Sequence, residues 1–199
     1  MYMYLVETKT SCDADRAWLR KFRSQNICQE CNKTFNWVYN NSIDINLDEH
    51  PGTAALNRAC PPAVGIARCD FFELFADVTA GYLETGRVFM RDIQLKDYCT
   101  FTSASRLLIH GQEDVYSRVC PGCGRHCYWP GTLDKWYIPK SSITGQVIYE
   151  SIIVNGLIIT EDLRARIKPG RWKGVLITKL PVIDEARDGI EEIPKSLVF

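Results

Sequence analysis

Two Cys-x-x-Cys pairs constrain this sequence more than any other feature. Cys28 and Cys31 form the first pair, Cys120 and Cys123 form the second, and 88 residues lie between them. Zinc takes four ligands in a tetrahedron, and one Cys-x-x-Cys turn supplies only two of them. We therefore expect both pairs to converge on one structural Zn²⁺, with Cys28, Cys31, Cys120 and Cys123 as the metal ligands.

The residues around each pair suit the tight turn, or knuckle, that such a site needs. Pro121 presets φ near about −65°, and Gly124 accepts a positive φ that lets the chain curl under the metal. Asn32 stands in the first pair where Gly124 stands in the second, and Asn enters the left-handed region readily. We place the knuckles at residues 26–37 and 118–130. Four thiolates around a dication leave a double negative charge. The neighbouring cations that would offset it are Lys33, Arg118 and Arg125.

The other cysteines raise alternatives to a zinc site. The chain has nine cysteines, an odd number, and no secretory leader, so a disulfide framework is disfavoured and a reducing compartment is expected. An iron–sulfur site or a redox dithiol stays open as the second interpretation of the two pairs. His126 and Cys127 follow the second pair closely, and the sequence leaves open whether either takes part. The cysteines without paired spacing, expected to be small buried apolar side chains, are Cys12, Cys60, Cys69 and Cys99.

Length and composition limit the classes of protein to which this chain can belong. The chain has 199 residues, 46% hydrophobic and 24% charged, with a formal net charge of zero. These values predict a folded protein with one domain over residues 1–199. With the helix and strand patterns described below, we expect an α+β fold in which the two knuckles join in one zinc-ribbon-like site. The longest apolar window, residues 152–159, is too short to span a bilayer. We expect a cytoplasmic protein with no membrane partner.

Residue patterns predict the main elements. Helices are expected at residues 15–23, 70–79 and 161–168, the second capped by Asp70 and the third preceded by Thr160. Strands are expected at residues 1–6, around 43–47, and at 172–180. Residues 86–118 predict short strands with turns at Gly86 and Gly111. The apolar residues of 147–154 fit neither a helical nor a strand period, so that segment is left undecided.

An enzyme is disfavoured by the residues that are available. Cys28-Gln29-Glu30 matches half of a zinc-deaminase motif, but Cys31 offers a fourth thiolate that would close the position needed for water. Glu30 is therefore expected to be solvated. The remaining candidates for acid–base chemistry are three scattered histidines, His50, His110 and His126. We predict no catalytic residues.

Nucleic-acid binding is the alternative function. Residues 161–180 carry a net charge of +4, although the zero net charge of the whole chain argues against a strong polyanion field. The alternative is a zinc-ribbon nucleic-acid-binding or regulatory adaptor protein. Its candidate basic and aromatic strip consists of Arg164, Arg166, Lys168, Arg171, Trp172 and Lys173.

The two cysteine pairs are accompanied by other segments that suggest a family. These are residues 81–92, residues 158–163 and the later Gly174-Val175. Together they make the sequence resemble the double-CXXCG family of bacterial immunity proteins, which protect against toxins passed between neighbouring cells during swarming inhibition. The resemblance implies a protein that binds and neutralises a cognate toxin, with the four paired cysteines as metal ligands and no catalytic residue. Asn32 departs from the glycine that the family motif contains.

Aromatic residues are the natural anchors of such a protein interface, because they bury large apolar surfaces. Each is also a normal core residue, and core packing is the favoured alternative. The candidate anchors are Trp129, Trp136, Tyr137 and Trp172.

Overall fold

The fold was determined from a computed structural model. The protein combines α-helices with β-sheets, as the α+β prediction requires. The residues that the structure describes are 1–8, 10–32, 38, 41–60, 64–79, 81–103, 105–107, 109–111, 115–124, 126–129, 136–151 and 156–184. The strands are β1 (Tyr2–Thr8), β2 (Ser11–Asp13), β3 (Ile45–Leu47), β4 (Leu56–Cys60), β5 (Val64–Arg68), β6 (Glu84–Met90), β7 (Ile93–Thr102), β8 (Arg106–Leu107), β9 (His110–Gly111), β10 (Val115–Val119), β11 (His126–Trp129), β12 (Trp136–Pro139), β13 (Ile148–Ser151), β14 (Gly156–Ile159) and β15 (Val175–Ile183). The α-helices are α1 (Arg16–Asn26), α2 (Cys69–Phe72), α3 (Ala76–Thr79) and α4 (Glu161–Arg166).

The first sheet has six strands and closes on itself. Its strand order is β2-β4-β5-β7-β6-β3, so β2 and β3 are the two edges. Backbone bonds join those edges: the Asp15 amide donates to the Asn46 carbonyl at 2.8 Å, and the Asp48 amide donates to the Asp13 carbonyl at 3.1 Å. Because the edges meet, this sheet forms a ring around its own core.

Alternating apolar residues fill that ring, because successive side chains of a strand point to opposite faces. Helix α1 follows β2 directly and packs on this core through Phe22, with Trp18 and Leu19 partly buried against it. The interior residues are Cys12, Ala14, Phe22, Ile27, Val38, Ile43, Ile45, Leu47, Ala59, Val64, Ile66, Val88 and Tyr98.

The second sheet has seven strands in the order β8-β13-β14-β1-β15-β12-β9. Its edge strands are β8 and β9. Its buried face carries Met3, Leu5, Leu107, Ile109, Trp136, Ile138, Tyr149, Ile158 and Leu180.

A third core lies between the two sheets and joins them. Tyr4 and Val6 of β1 meet Leu56 of β4 and Phe101 of β7 there. The segment that contains α2, a 3₁₀ turn (Glu73–Phe75) and α3 fills the same space with Phe71, Phe72 and Phe75. The helical segment therefore packs between the sheets. This position explains its five large apolar residues, Phe71, Phe72, Leu74, Phe75 and Val78.

The predicted helices are present with shifted ends. Helix α1 begins where expected, because the Asp15 side chain accepts a hydrogen bond from the Trp18 amide at 2.8 Å. The predicted helix over 70–79 is instead α2, the 3₁₀ turn and α3 in succession. The cap prediction there was wrong: Arg68 is the N-cap, and Asp70 lies in the first turn, where it pairs with Arg68.

The predicted turn at Gly86 was wrong, because Gly86 lies inside β6. Gly111 is the last residue of β9, and residues 112–114, where a turn would follow, lie outside the described part. The hairpin between β6 and β7 turns at Arg91 and Asp92, whose φ angles are 51° and 65°. Gly86 has a different purpose: a Cβ there would stand 2.3 Å from the Ile43 carbonyl oxygen. It permits close backbone approach, and an isolated glycine cannot be distinguished from a turn glycine by sequence alone.

The undecided segment 147–154 contributes strand residues, Ile148–Ser151, while residues 152–155 lie outside the described part. The expected strands at 1–6, 43–47 and 172–180 correspond to β1, β3 and β15. Within the described residues, every helix is too short or too polar to cross a membrane.

Candidate metal centre

The structure brings the four predicted cysteines together in one cluster. The sulfur atoms of Cys28, Cys31, Cys120 and Cys123 all lie within 4.8 Å of one another. Cys28 Sγ is 3.7 Å from Cys120 Sγ, and Cys31 Sγ is 3.7 Å from Cys123 Sγ. These separations exceed the S–S bond of about 2.05 Å in a disulfide, so the four cysteines are not disulfide-bonded to each other and could hold a metal ion.

The first pair follows the C-terminus of α1. Ile27 ends the helix, and its backbone amide donates to the Arg23 carbonyl. The chain then turns so that the Asn32 amide donates to the Cys28 carbonyl at 2.9 Å, with Asn32 at φ 55°. The left-handed conformation expected of Asn32 is confirmed, and the turn aims both thiols to the same side.

The second pair occupies the loop of the hairpin formed by β10 and β11, whose register pairs Val119 with His126. Its turn repeats the geometry of the first: the Gly124 amide donates to the Cys120 carbonyl at 2.9 Å, with Gly124 at φ 69°. The hairpin lies in the chain between β9 and β12 of the seven-stranded sheet. The cluster thus ties that insertion to the end of α1, which packs on the six-stranded sheet.

The two knuckles approach each other closely at Gly122. A Cβ on Gly122 would lie 2.8 Å from Glu30 Cγ and 3.2 Å from Cys28 Sγ. A larger residue would therefore push the knuckles apart. Glu30 itself is exposed, as the sequence predicted.

Burial and hydrogen bonding act in opposite directions on the inner thiols. Cys28 and Cys120 are 4% and 2% exposed, while Cys31 and Cys123 are partly exposed. Burial raises the pKa of Cys120, but donation from the Cys123 and Gly122 amides and from the thiols of Cys123 and Cys31 outweighs it and lowers the pKa to about 7. Metal ions bind the thiolate form, so a lowered pKa favours ligation.

Several sequence-predicted neighbours of the site cannot be placed. Lys33 and Arg125 lie outside the described residues. The side chains of Arg118, His126 and Cys127 also lie outside them, although β10 and β11 carry their backbones. The four-thiol cluster has a full set of ligands without His126 or Cys127.

Three of the cysteines without paired spacing lie away from the cluster, and the side chain of Cys60 is outside the described part. Cys12 is buried in the first ring, as expected. Cys69 and Cys99 are only partly buried, and their thiols are hydrogen-bonded to each other. Burial raises the pKa of Cys99 to about 12 and also raises that of Cys69, so both favour the neutral thiol.

The two described histidines do not join the cluster. His50 is exposed and accepts a hydrogen bond from the Gly52 amide at 3.0 Å. His110 is buried in β9 and stacks on Tyr137, with the ring centres 5.7 Å apart. His50 lies between β3 and β4 and contacts Tyr98 of the six-stranded sheet, whereas His110 lies in β9 of the seven-stranded sheet.

The candidate aromatic anchors are mostly core residues. Trp136 and Tyr137 are 6% and 3% exposed. Trp172 is partly buried and meets Phe71 edge to face at 5.1 Å. Core packing, the favoured alternative, therefore applies to these three, and the Trp129 side chain lies outside the described part.

The predicted basic strip is only partly available for binding. Arg166 is paired with Asp77 through two hydrogen bonds of 2.5 and 3.0 Å, which hold the pKa of Asp77 below its usual value. Arg171 lies over the ring of Trp172 at 5.0 Å. Lys168, Arg171 and Lys173 remain exposed.

The sequence analysis did not predict the buried pair formed by Glu150 and Arg106. Glu150 in β13 is 4% exposed, lies 3.9 Å from Arg106 Nε and accepts from the Ser103 amide at 2.9 Å. Burial raises the pKa of Glu150 to about 7 against the opposing effect of Arg106. The sequence does show Glu150 as a carboxylate that interrupts an apolar run. Its partner, Arg106, lies far away in the sequence, so the pair could not be predicted from a local pattern.

Comparison with known proteins does not change this description. No protein-family model matches the chain, and no curated protein matches it. The resemblance to immunity proteins therefore stays a prediction, and the four-thiol cluster is the feature from which function must be argued.

Proposed function

We propose that this chain binds and neutralises a cognate toxin protein in the cytoplasm of the cell that carries both, and that a structural Zn²⁺ keeps its binding surface in place. The observation that carries the proposal is the convergence of Cys28, Cys31, Cys120 and Cys123. Toxin binding is supported by the sequence resemblance, and the zinc by the geometry of the thiols.

Zinc fits the spacing of the sulfur atoms. Zn–S bonds of about 2.3 Å in a tetrahedron place neighbouring sulfurs about 3.8 Å apart. The two measured cross-pair separations are both 3.7 Å. A polynuclear iron–sulfur cluster places its own iron and sulfide atoms between the cysteines, and so requires more widely spaced thiols.

The same geometry supports a structural role for the metal. Four protein thiolates complete a tetrahedral shell and leave no position for water or substrate, unlike the open sites of zinc enzymes. The ion would instead link the end of α1 to the β10–β11 hairpin. A non-enzymatic binding protein is consistent with this arrangement.

Metal analysis tests the zinc. We expect one zinc per chain after purification without added metal, and a Cys31→Ser/Cys123→Ser variant should lose it. Replacement by Co²⁺ should give the visible absorption of a tetrahedral thiolate site. Cys69→Ser is the matched control, because Cys69 is a partly exposed thiol outside the cluster. Iron in place of zinc, or metal retained by the double variant, would contradict the assignment.

Co-expression tests the toxin binding. The chain should restore growth to cells that express the toxin candidate encoded beside it, and the two proteins should co-purify. The Cys31→Ser/Cys123→Ser variant should protect less well, while Cys69→Ser should protect fully. Growth arrest despite abundant folded chain would refute neutralisation of that toxin.

A zinc-ribbon nucleic-acid-binding or regulatory adaptor is the second candidate. The exposed cations Lys168, Arg171 and Lys173 favour it. Neutralisation of Arg166 by Asp77 weakens it, because fewer charges remain to release counterions. Steeply salt-dependent retention on DNA that is lost on reversing Lys168, Arg171 and Lys173 would favour this adaptor over the immunity function.

A further inference from the structure

Strand β15 has a hydrogen-bonded neighbour on one side only along most of its length. It pairs with β1 from Val175 to Pro181, whereas its other neighbour, β12, pairs with it only at Val182 and Ile183. Within the described part of the chain, no strand pairs with residues 175–181 on the side away from β1. The seven-stranded sheet therefore has an open edge along this stretch, besides its ends at β8 and β9.

The backbone polar groups of alternate residues face that open edge. The Val182 amide donates to the Met1 carbonyl at 3.1 Å, and the register of β1 with β15 continues without a break. Hydrogen-bonded pairs alternate along an antiparallel ladder, so the even-numbered residues of β15 face β1 and Ile177 and Lys179 face outwards. The N–H and C=O groups of these two residues therefore have no ladder partner among the described residues.

The burial of side chains agrees with an open edge. Residues 3–6 of the neighbouring strand β1 are all buried, as expected for a strand inside a sheet. By contrast, no residue of Val175–Lys179 is fully buried, and Ile177 is 37% exposed. Burial begins at Leu180, which shares a core cluster with Trp136 of β12. The uncovered stretch is thus about 17 Å of mainly apolar strand.

The usual protections against strand pairing do not close this edge. Lysine and proline on an edge strand commonly prevent another strand from adding to it. Lys179, however, holds its ammonium group 3.7 Å from the centre of the Tyr2 ring, which belongs to β1 and lies away from the open side. Pro181 lacks an amide only at the end of the stretch, next to the residues that pair with β12. An extended strand can therefore approach along residues 175–179.

Charge and symmetry indicate that the strand that pairs there belongs to a second copy of the chain. The formal net charge is zero, so two copies approach without long-range repulsion. Two antiparallel β15 strands with Ile177 on a twofold axis join each Ile177 amide to the other Ile177 carbonyl, and each Lys179 amide to the other Val175 carbonyl. In that register, Lys179 lies opposite the apolar Val175 and not opposite another cation. The edge is thus complementary to itself.

We propose that the chain forms a symmetric dimer, in which β15 pairs antiparallel with β15 of a second copy about an axis at Ile177. The seven-stranded sheets of the two copies then continue into each other across the axis. Because the pairing uses the open stretch of β15 in both copies, association through this edge stops at the dimer. The proposal goes beyond toxin neutralisation and requires neither the toxin nor the metal.

Sedimentation velocity of the full chain over a series of concentrations measures the dissociation constant of the dimer. Ile177→Pro removes the central outward amide and leaves the bonds to β1, which the even-numbered residues make. We expect this variant to weaken the dimer at least about tenfold, because each copy loses a hydrogen bond. Ile177→Val is the matched control: it keeps the amide and a β-branched side chain, and should change the constant by less than about threefold.

A pair of charged variants tests the register. Ile177→Lys and Ile177→Glu each place like charges opposite each other on the axis, so each alone should dimerise at least about fivefold more weakly than the unchanged chain. Mixed together, they place opposite charges there and should associate at least about threefold more tightly than either alone. Ile93→Lys and Ile93→Glu are the controls, because Ile93 is 68% exposed on the six-stranded sheet, and they should leave the constant unchanged. Unchanged far-ultraviolet circular dichroism confirms the fold of each variant.

Several outcomes overturn the proposal. They are a chain that stays monomeric at every concentration, species larger than a dimer, Ile177 variants that associate as tightly as the unchanged chain, and a mixture no tighter than its separate components. A monomeric chain that loses toxin neutralisation on Ile177→Pro would assign the edge to the toxin instead. Failure of the unchanged chain to protect cells refutes the proposed function alone, because that assay measures growth while this one measures self-association.

Discussion

Removal of the metal should destabilise the whole molecule and not only the knuckles. The cluster connects residues near 30 to residues near 120, so it closes a loop of about 90 residues. A permanent link of that length lowers the entropy of the unfolded chain by an amount worth about 4–5 kcal/mol at 25 °C. The metal contributes in the same way as long as it stays bound to both pairs in the unfolded chain, or more if unfolding releases it.

That loss is large on the scale of protein stability, which is about 5–15 kcal/mol for ordinary domains. For a chain of this length, each kcal/mol corresponds to about 2–4 °C in Tm. We therefore expect a strong Zn²⁺ chelator to lower Tm by about 8–20 °C. The free energy of unfolding should fall by at least about 4 kcal/mol.

Thermal and urea unfolding, followed by circular dichroism with and without chelator, give this change directly. The Cys31→Ser/Cys123→Ser variant is the control, because it lacks half of the ligands and should not respond to chelator. A chelator that strips the metal but leaves Tm unchanged would refute the argument that the cluster links distant parts of the fold.

Three further changes test individual residues. Asn32→Gly should change the free energy of unfolding by less than about 0.5 kcal/mol, whereas Asn32→Val should cost about 1–2 kcal/mol, because Asn32 has φ 55°; urea unfolding measures both. Gly86→Ala should cost about 2–3 kcal/mol by the same measurement, since its Cβ would stand 2.3 Å from the backbone oxygen of Ile43. Glu150 has its pKa raised to about 7 by burial, so the protonated form is favoured in the folded state. Its contribution to stability is complete below about pH 4.5 and is lost as the pH rises through about 7, a change of about 3 kcal/mol that Glu150→Gln should abolish in unfolding curves recorded across this range.

Each of these three predictions can be contradicted by a specific result. Equal stability of Asn32→Gly and Asn32→Val would mean that backbone conformation does not limit the first knuckle. A Gly86→Ala variant no less stable than Thr85→Ala, its exposed neighbour, would remove the argument from close approach. If the pH dependence survives in Glu150→Gln, another group is responsible for it.

The four-thiol cluster was predictable from the sequence because its determinants are local. Each knuckle depends on a short run of residues, and the coordination number of the metal then requires two runs to meet. The left-handed turns at Asn32 and Gly124 follow from the same local reasoning. Helix α1 was also predictable, since Asp15 caps it and its apolar residues recur at helical spacing.

Other features depended on contacts that no local pattern contains. Gly86 is a residue typical of turns but lies inside β6, because the neighbouring backbone at Ile43 requires a residue without a Cβ. The partner that leaves Arg166 unavailable is Asp77, 89 residues away.

The sequence by itself determined the elements whose physics is short-range: the cysteine turns, helix α1, and the alternation of Ile43, Ile45 and Leu47 that marks β3 as a strand. Only the tertiary structure decided that the six-stranded sheet closes on itself, that the 69–79 segment packs between the two sheets, and that the Glu150 carboxylate is buried beside Arg106. Strand pairing joins residues far apart in the chain, and its energy comes from burial and hydrogen bonds that exist only after the partners have met.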